Sequence, residues 1–217
     1  MLQETIGKDQ AAGHWQDYVV PQRWESFTGE DHEVWDLLFA RQVELLGSRV
    51  VSPFLDGIDL LRLSHPGVPE LAELNVILEP RTGWRTVAVP GLVPDEVFFA
   101  MLADRVFPVG NFIRTREQLD YLEAPDCFHD LFGHIPMLAD HDYAGMIEHV
   151  GRLGAAAIAA GQGERVARIY WHSVEFGLAR EGGEPVAGKF GVPAGATSMY
   201  AIRTRSPWIS TMHARQL

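Results

Sequence analysis

Two histidines five residues apart in an otherwise apolar run constrain this chain more than any other feature. The run is Pro125-Asp-Cys-Phe-His129-Asp-Leu-Phe-Gly-His134-Ile-Pro136. With Phe128, Leu131, Phe132 and Ile135 as neighbours, the imidazoles are carried inward, where an unsatisfied polar group costs about 1–3 kcal/mol. Each needs a partner, and one shared metal ion would serve both. In a regular helix, positions five apart point about 140° away from each other, so helical geometry alone does not aim both rings at one ion. Gly133 loosens the turn before His134. The spacing predicts a short helix from Asp126 to Gly133 that Pro136 ends or kinks. On this segment alone a metal site and a pair of structural histidines both stay open.

A carboxylate in similar surroundings lies in Ile169-Tyr-Trp-His-Ser-Val-Glu175-Phe-Gly-Leu178. Buried without a partner, Glu175 would be costly, so it meets a cation or a metal. Arg168 is the ion-pair candidate. Taken together, His129, His134 and Glu175 make a two-histidine, one-carboxylate set. Such a set leaves up to three coordination positions open and favours non-haem Fe(II) and oxygen chemistry. Hydrolysis on zinc is the other chemistry it supports. His14, His32, His65, His141, His149 and His213 lie in polar or amphipathic surroundings with no obvious partner. His172, beside Trp171, reads as packed and hydrogen-bonded.

Around these segments the chain reads as one mainly α domain. Its 217 residues are 47% hydrophobic and 22% charged, an ordinary globular composition. An arm without periodicity runs to Pro21, and residues 22–217 form the body of the domain. Thr28-Gly-Glu-Asp31 matches a capping box and opens a helix that Gly47 closes. Further helices are expected over Pro53–Leu63, Val68–Leu78, Pro94–Arg105, Tyr143–Ala160 and Glu164–Arg180. Trp84–Val89 reads as a strand between turn residues, and Ser198–Arg203 as another within a Gly- and Pro-rich region. Helices dominate, with no alternation of strand and helix that would signal a parallel sheet. A net charge of −11 gives no basis for gripping nucleic acid or anionic membrane. The single cysteine, Cys127, makes no intrachain disulfide. No signal sequence or membrane-length apolar run is visible, so a cytoplasmic location is expected.

Longer blocks of sequence carry a resemblance. They are Thr82-Gly-Trp-Arg-Thr-Val-Ala-Val-Pro-Gly-Leu-Val-Pro-Asp-Glu-Val-Phe-Phe99, Phe107-Pro-Val-Gly-Asn-Phe-Ile-Arg114, Gln118 through Pro136, and Ile169 through Leu178. In this order they resemble the pterin-dependent aromatic amino acid hydroxylases, and among them the short bacterial phenylalanine hydroxylases. The match runs from about Trp24 to Leu178. It implies the single-domain, mainly α catalytic fold of that family, with a few short strands. It implies that His129, His134 and Glu175 hold Fe(II), and that Arg114 pairs with the carboxylate of the amino acid, a task suited to a planar guanidinium. Trp171 and Phe176 fall where the family lines its aromatic-substrate pocket. Phe98 matches the ring that stacks on the pterin, and Gly91, Val93 and Asp95 the loop beside it. Asp130 matches an acidic residue that reaches the pterin site through water. Asp126 matches an aspartate behind the first histidine, the kind of group that orients a ligand imidazole.

The implied activity is ring hydroxylation of an aromatic amino acid, phenylalanine to tyrosine first. Tetrahydropterin is the cofactor and dioxygen the co-substrate. A related iron oxygenase with another aromatic substrate or ring position, and a metal-binding paralogue without turnover, are the alternatives. After Leu178 the likeness weakens. Phe190-Gly-Val-Pro-Ala-Gly-Ala-Thr-Ser198 stands where the family has a glycine-rich segment with paired serines, and Pro193 occupies a glycine position. The chain has no length for the regulatory and tetramer-forming segments of the family's larger members, so a monomer is expected.

Overall fold

The structure, a computed structural model, describes residues 14–46, 49–175, 178–181 and 184–187, the last two stretches by their backbone. Phe176, Pro193 and the expected strand at Ser198–Arg203 lie outside the described residues.

Among the described residues seven α-helices follow the apolar periodicity: α1 (Gly29–Leu46), α2 (Ser52–Leu60), α3 (Leu71–Thr82), α4 (Asp95–Ala103), α5 (Cys127–Leu138), α6 (His141–Ala159) and α7 (Gly163–Tyr170). The capping box of α1 forms. Thr28 Oγ1 accepts from Asp31 N at 3.2 Å, while Asp31 Oδ2 accepts from Thr28 N at 2.7 Å. α3 begins three residues later than its periodicity predicts, because a residue before proline, here Val68 before Pro69, is disfavoured from helical backbone. The Gln22 side chain then caps the start, accepting from Leu71 N at 2.8 Å. At its other end Gly83, with φ 75°, supplies the left-handed stop.

Two departures concern strands. β1 (Arg85–Val89) pairs with β2 (Val106–Gly110), parallel, from Arg85 opposite Val106 to Val89 opposite Gly110. The helix α4 makes the crossover, so the region is a small strand–helix–strand unit and the expected absence of parallel pairing is corrected. Pro108 hides β2 in the sequence; it is tolerated because, among the described residues, β2 has a partner along one edge only. The second departure follows α7. A helix was expected to run on to Arg180, but it ends at Tyr170 in a five-residue π-helical turn, Trp171–Glu175. β3 (Leu178–Glu181) then pairs antiparallel with β4 (Glu184–Ala187). Gly182-Gly183 between two short runs is the hairpin signal that helical periodicity obscured.

The core gathers on α5. Phe128 and Phe132 stack at 5.0 Å, with Trp35 of α1 edge-on to Phe128 and Phe54 of α2 edge-on to Phe132. α5 continues through both Gly133 and Pro136 and ends two residues beyond the proline. At Pro136 the helix meets Gly57 of α2 so closely that a Cβ on Gly57 would lie 2.1 Å from the Pro136 carbonyl oxygen. Three side chains clamp the turn between α5 and α6: Thr82 Oγ1 to Leu138 O at 2.8 Å, Arg81 Nε to Ala139 O at 2.6 Å and Trp84 Nε1 to Ala144 O at 3.1 Å.

The described part of the arm is tied down. Trp15 Nε1 donates to Asp104 at 2.7 Å, and Val20 bridges Ala88 of β1. His32 has a partner after all, its Nδ1 accepting from Val68 N at 3.1 Å. His172, expected to be packed, is exposed. Among the described residues no helix is long and apolar enough to cross a membrane.

The two glycine environments give a paired test. Gly57→Ala has no room against backbone and is expected to cost about 1–3 kcal/mol, read as a lower urea midpoint. Gly145→Ala, in the exposed face of α6 with nothing within 4 Å, is expected to stabilise by about 0.5–1 kcal/mol, read as a higher midpoint.

Candidate metal centre

One carboxylate organises the start of α5. Asp126 is its N-cap, and Asp126 Oδ1 accepts from His129 N at 3.0 Å, satisfying an amide of the first turn. The same carboxylate takes three bonds from Arg114: the backbone N–H at 3.0 Å, Nε at 2.8 Å and Nη2 at 3.0 Å. Both side chains are buried, 5% and 0% exposed. Burial pushes the Asp126 carboxyl upward, but the bonds and charge of Arg114 outweigh it and hold the group below its ordinary range.

Asp126 was expected to orient the His129 imidazole; instead it meets the peptide N–H of that residue. An N-cap side chain reaches the amides at the helix mouth, while the ring of the third residue points outward. The ring is met by Asp130, whose Oδ1 lies 3.0 Å from His129 Nδ1. Asp130 Oδ2 accepts from Gly110 N at 2.8 Å. The chain of contacts therefore runs from the carboxyl end of β2 through Asp130 to His129. With a proton on Nδ1 shared with Asp130, Nε2 is the atom turned to an ion.

His129 and His134, with ring centroids 5.1 Å apart, converge with Glu175. His134 Nε2 lies 3.3 Å from Glu175 Oε1 and His129 Nε2 lies 3.9 Å from Glu175 Oε2. One donor atom from each residue falls within 4.8 Å of the others. Donors bound to one ion at bond lengths near 2.1 Å stand about 3–3.4 Å apart, so small side-chain adjustments would close the set. Arg168 pairs with Glu164 at 3.7 Å and leaves Glu175 to the histidines. Burial opposes charge on His129, yet Asp130, Glu175 and Asp126 together raise its pKa above the ordinary histidine value. A cation is what this cluster of carboxylates favours.

An aromatic wall stands beside the cluster. Phe107 of β2 lies 5.0 Å from the His134 ring. Half-buried Phe98 of α4 is held edge-on by Phe99, Phe107 and Tyr170. Burial, and then the charge of Glu175, push the Tyr143 and Tyr170 hydroxyls well above the ordinary phenol pKa, so both stay neutral. Among the described residues the buried Tyr170 hydroxyl has no hydrogen-bond partner, an orphaned polar atom that suits a polar guest. Sequence reasoning did not single out Phe107, Tyr143 or Tyr170; the first and last sit inside the motif blocks, which was the available signal.

The remaining expected site residues divide. Gly91, Val93 and Asp95 follow the carboxyl end of β1, the end of a parallel pair where ligands commonly bind. A Cβ on Gly91 would meet nothing within 4 Å. Val93 packs on a second apolar cluster with Trp15, Val97 and Met101. Asp95 opens α4, its carboxyl raised by burial and then by Glu96. Trp171 is half-buried at the head of the π-helical turn.

If the Arg114–Asp126 pair is the keystone of this site, removing one partner strands a buried charge. Asp126→Ala is expected to cost about 3–5 kcal/mol in chemical denaturation, well beyond the effect of an exposed Asp120→Ala.

Residues 8–207 match the sequence model of the biopterin-dependent aromatic amino acid hydroxylases. Over 192 residues the chain is 44% identical to the phenylalanine-4-hydroxylase of Caulobacter vibrioides, covering 88% of this chain and 65% of that protein. The chain thus spans just under two thirds of the length of such relatives. A Chromobacterium violaceum phenylalanine hydroxylase solved with iron(III) and oxidised 7,8-dihydrobiopterin superposes with a TM-score of 0.79 and 41% identity. That superposition covers 87% of this chain and 69% of the other. The same enzyme solved with iron and phenylalanine gives 0.77 and 39%, over 87% and 68%. The chain belongs to the biopterin-dependent aromatic amino acid hydroxylase family.

Proposed function

We propose that the protein is a non-haem Fe(II), tetrahydropterin-dependent monooxygenase that hydroxylates the ring of an aromatic amino acid, converting phenylalanine to tyrosine. The observation that carries this reading is the convergence of His129, His134 and Glu175 from two separate helical segments beside an aromatic wall. Two imidazoles and one carboxylate suit Fe(II) and leave room for further ligands. Iron and tetrahydropterin together supply the activation of dioxygen.

The protein's own groups hold the parts in place. Asp130 fixes the His129 ring, and Asp126 fixes its backbone. Arg114 carries five N–H donors in its guanidinium, of which the Asp126 side chain takes two. Its plane is thereby set before a substrate carboxylate arrives. The edge-on contacts of Phe98 hold a ring against which a flat pterin could stack. Phe107, Tyr170 and Val174 keep water from the reacting centre. Trp171 and Phe176 are assigned to the aromatic-substrate pocket, and Gly91, Val93 and Asp95 to the pterin's edge. A monomer working in the cytoplasm on small molecules completes the reading.

The decisive assay starts from anaerobic, Fe(II)-loaded protein with phenylalanine, tyrosine or tryptophan. Oxygen and tetrahydropterin are then added together, and products are read by mass spectrometry. Tyrosine should form from phenylalanine only when iron, pterin and oxygen are all present. Chelation should abolish turnover and Fe(II) restore it. Glu175→Ala, with its circular dichroism unchanged, should lose turnover by at least about a hundredfold. Wild-type activity in that variant would sink the ligand assignment.

A further inference from the structure

The two histidines share one helix, but Glu175 arrives by a different device. Helix α7 ends at Tyr170, and Trp171–Glu175 forms the π-helical turn. Tyr170 is buried and packs edge-on to Phe98 and Phe99, so it marks the core-facing side of α7. In a regular α-helix Glu175, five residues on, would point about 140° away from Tyr170 and out of the site. A turn that closes from residue i to i+5 brings the fifth residue back almost beneath the first. Glu175 accordingly shares the core side with Tyr170 and reaches both histidines, at 3.3 and 3.9 Å. Widening the helix at this point is what aims the carboxylate.

A π-helical turn is rare and intrinsically poor, so something must favour it locally. Ile169 is the last residue but one of α7, where the i→i+4 ladder hands over to the wider turn. Its carbonyl accepts a hydrogen bond from the Ser173 hydroxyl at 2.6 Å. A serine hydroxyl inserted at the i−4 carbonyl bends a helix and competes with its regular ladder. Ser173 is exposed, as are His172 before it and Ile169 itself. Packing therefore does not account for the side chain's place. Val174 on one side of it is 1% exposed and pins the turn to the core.

We propose that Ser173 is a positioning residue for the metal centre: its hydroxyl, bonded to the Ile169 carbonyl, holds the π-helical turn that aims Glu175 at His129 and His134. The inference rests on the reading of those three residues as the metal's ligands. It assigns Ser173 no contact with metal, cofactor or substrate.

Co(II) serves as the probe, since its d–d absorption reports coordination directly and its binding is measured without turnover. Ser173→Ala and Ser173→Val lack the hydroxyl, whereas Ser173→Thr keeps it; Val and Thr have nearly the same shape. The Ala and Val variants should keep the metal-free Tm within about 2 °C of wild type, as expected for an exposed side chain. They should bind Co(II) about three- to tenfold more weakly, the worth of one hydrogen bond, with a shifted d–d band. Ser173→Thr should restore both affinity and spectrum. Wild-type affinity and spectrum in Ala and Val would overturn the proposal, as would a loss that Thr shares with Val. Glu175→Ala separates the two readings. If it binds Co(II) like wild type, the ligand assignment itself fails. If it loses Co(II) while Ser173→Ala and Ser173→Val do not, only the role of Ser173 fails.

Discussion

The buried carboxylate of Asp126 is the interaction on which the rest of the site depends. It receives four hydrogen bonds, three from Arg114 and one from His129 N. A charge without water must be met by its partners in good geometry, because an unmet one costs several kcal/mol. That requirement fixes the start of α5 against the segment after β2. It places the first candidate ligand and the guanidinium through one group, so the two cannot drift apart. Asp130 repeats the logic one turn on, joining Gly110 at the end of β2 to the His129 ring.

Close backbone approach supplies the second constraint. α5 comes against α2 at Gly57 and Pro136. α4 comes against α6 at Gly151 and Gly154, where a Cβ would strike Ala103 N and the Phe99 ring at 2.3 and 2.2 Å. Helices that near transmit position with little slack, since packed interiors have few voids to absorb a shift. One contact pins the helix carrying both histidines; the other pins the helix carrying Phe98. The aromatic wall of Phe98, Phe107 and Tyr170 is where these two parts meet.

Much of this was legible in the residues. The apolar spacing located each described α-helix, the Thr28–Asp31 box formed, and Trp84–Val89 proved to hold β1. What escaped was set by partners distant in sequence. β2 is disguised by Pro108 and exists because β1 lies beside it. α7 stops at Tyr170 although its pattern continues. His32 looked idle until the Val68 amide reached it. Asp130 and not Asp126 meets the His129 ring, because side-chain direction at a helix mouth depends on the cap geometry and not on spacing.

The candidate donor set, two imidazoles and a carboxylate in apolar surroundings, was named from the sequence and its resemblance, because burying those groups leaves few chemical choices. So was family membership, carried by long motifs in fixed order. Only the tertiary structure decided how the donors come together. His129 and His134 diverge on an ideal helix and Glu175 lies some forty residues further on. Their convergence follows from a cap, from a π-helical turn and from packing between helices. Each of these is a property of atoms meeting in space, and no local run of residues encodes it.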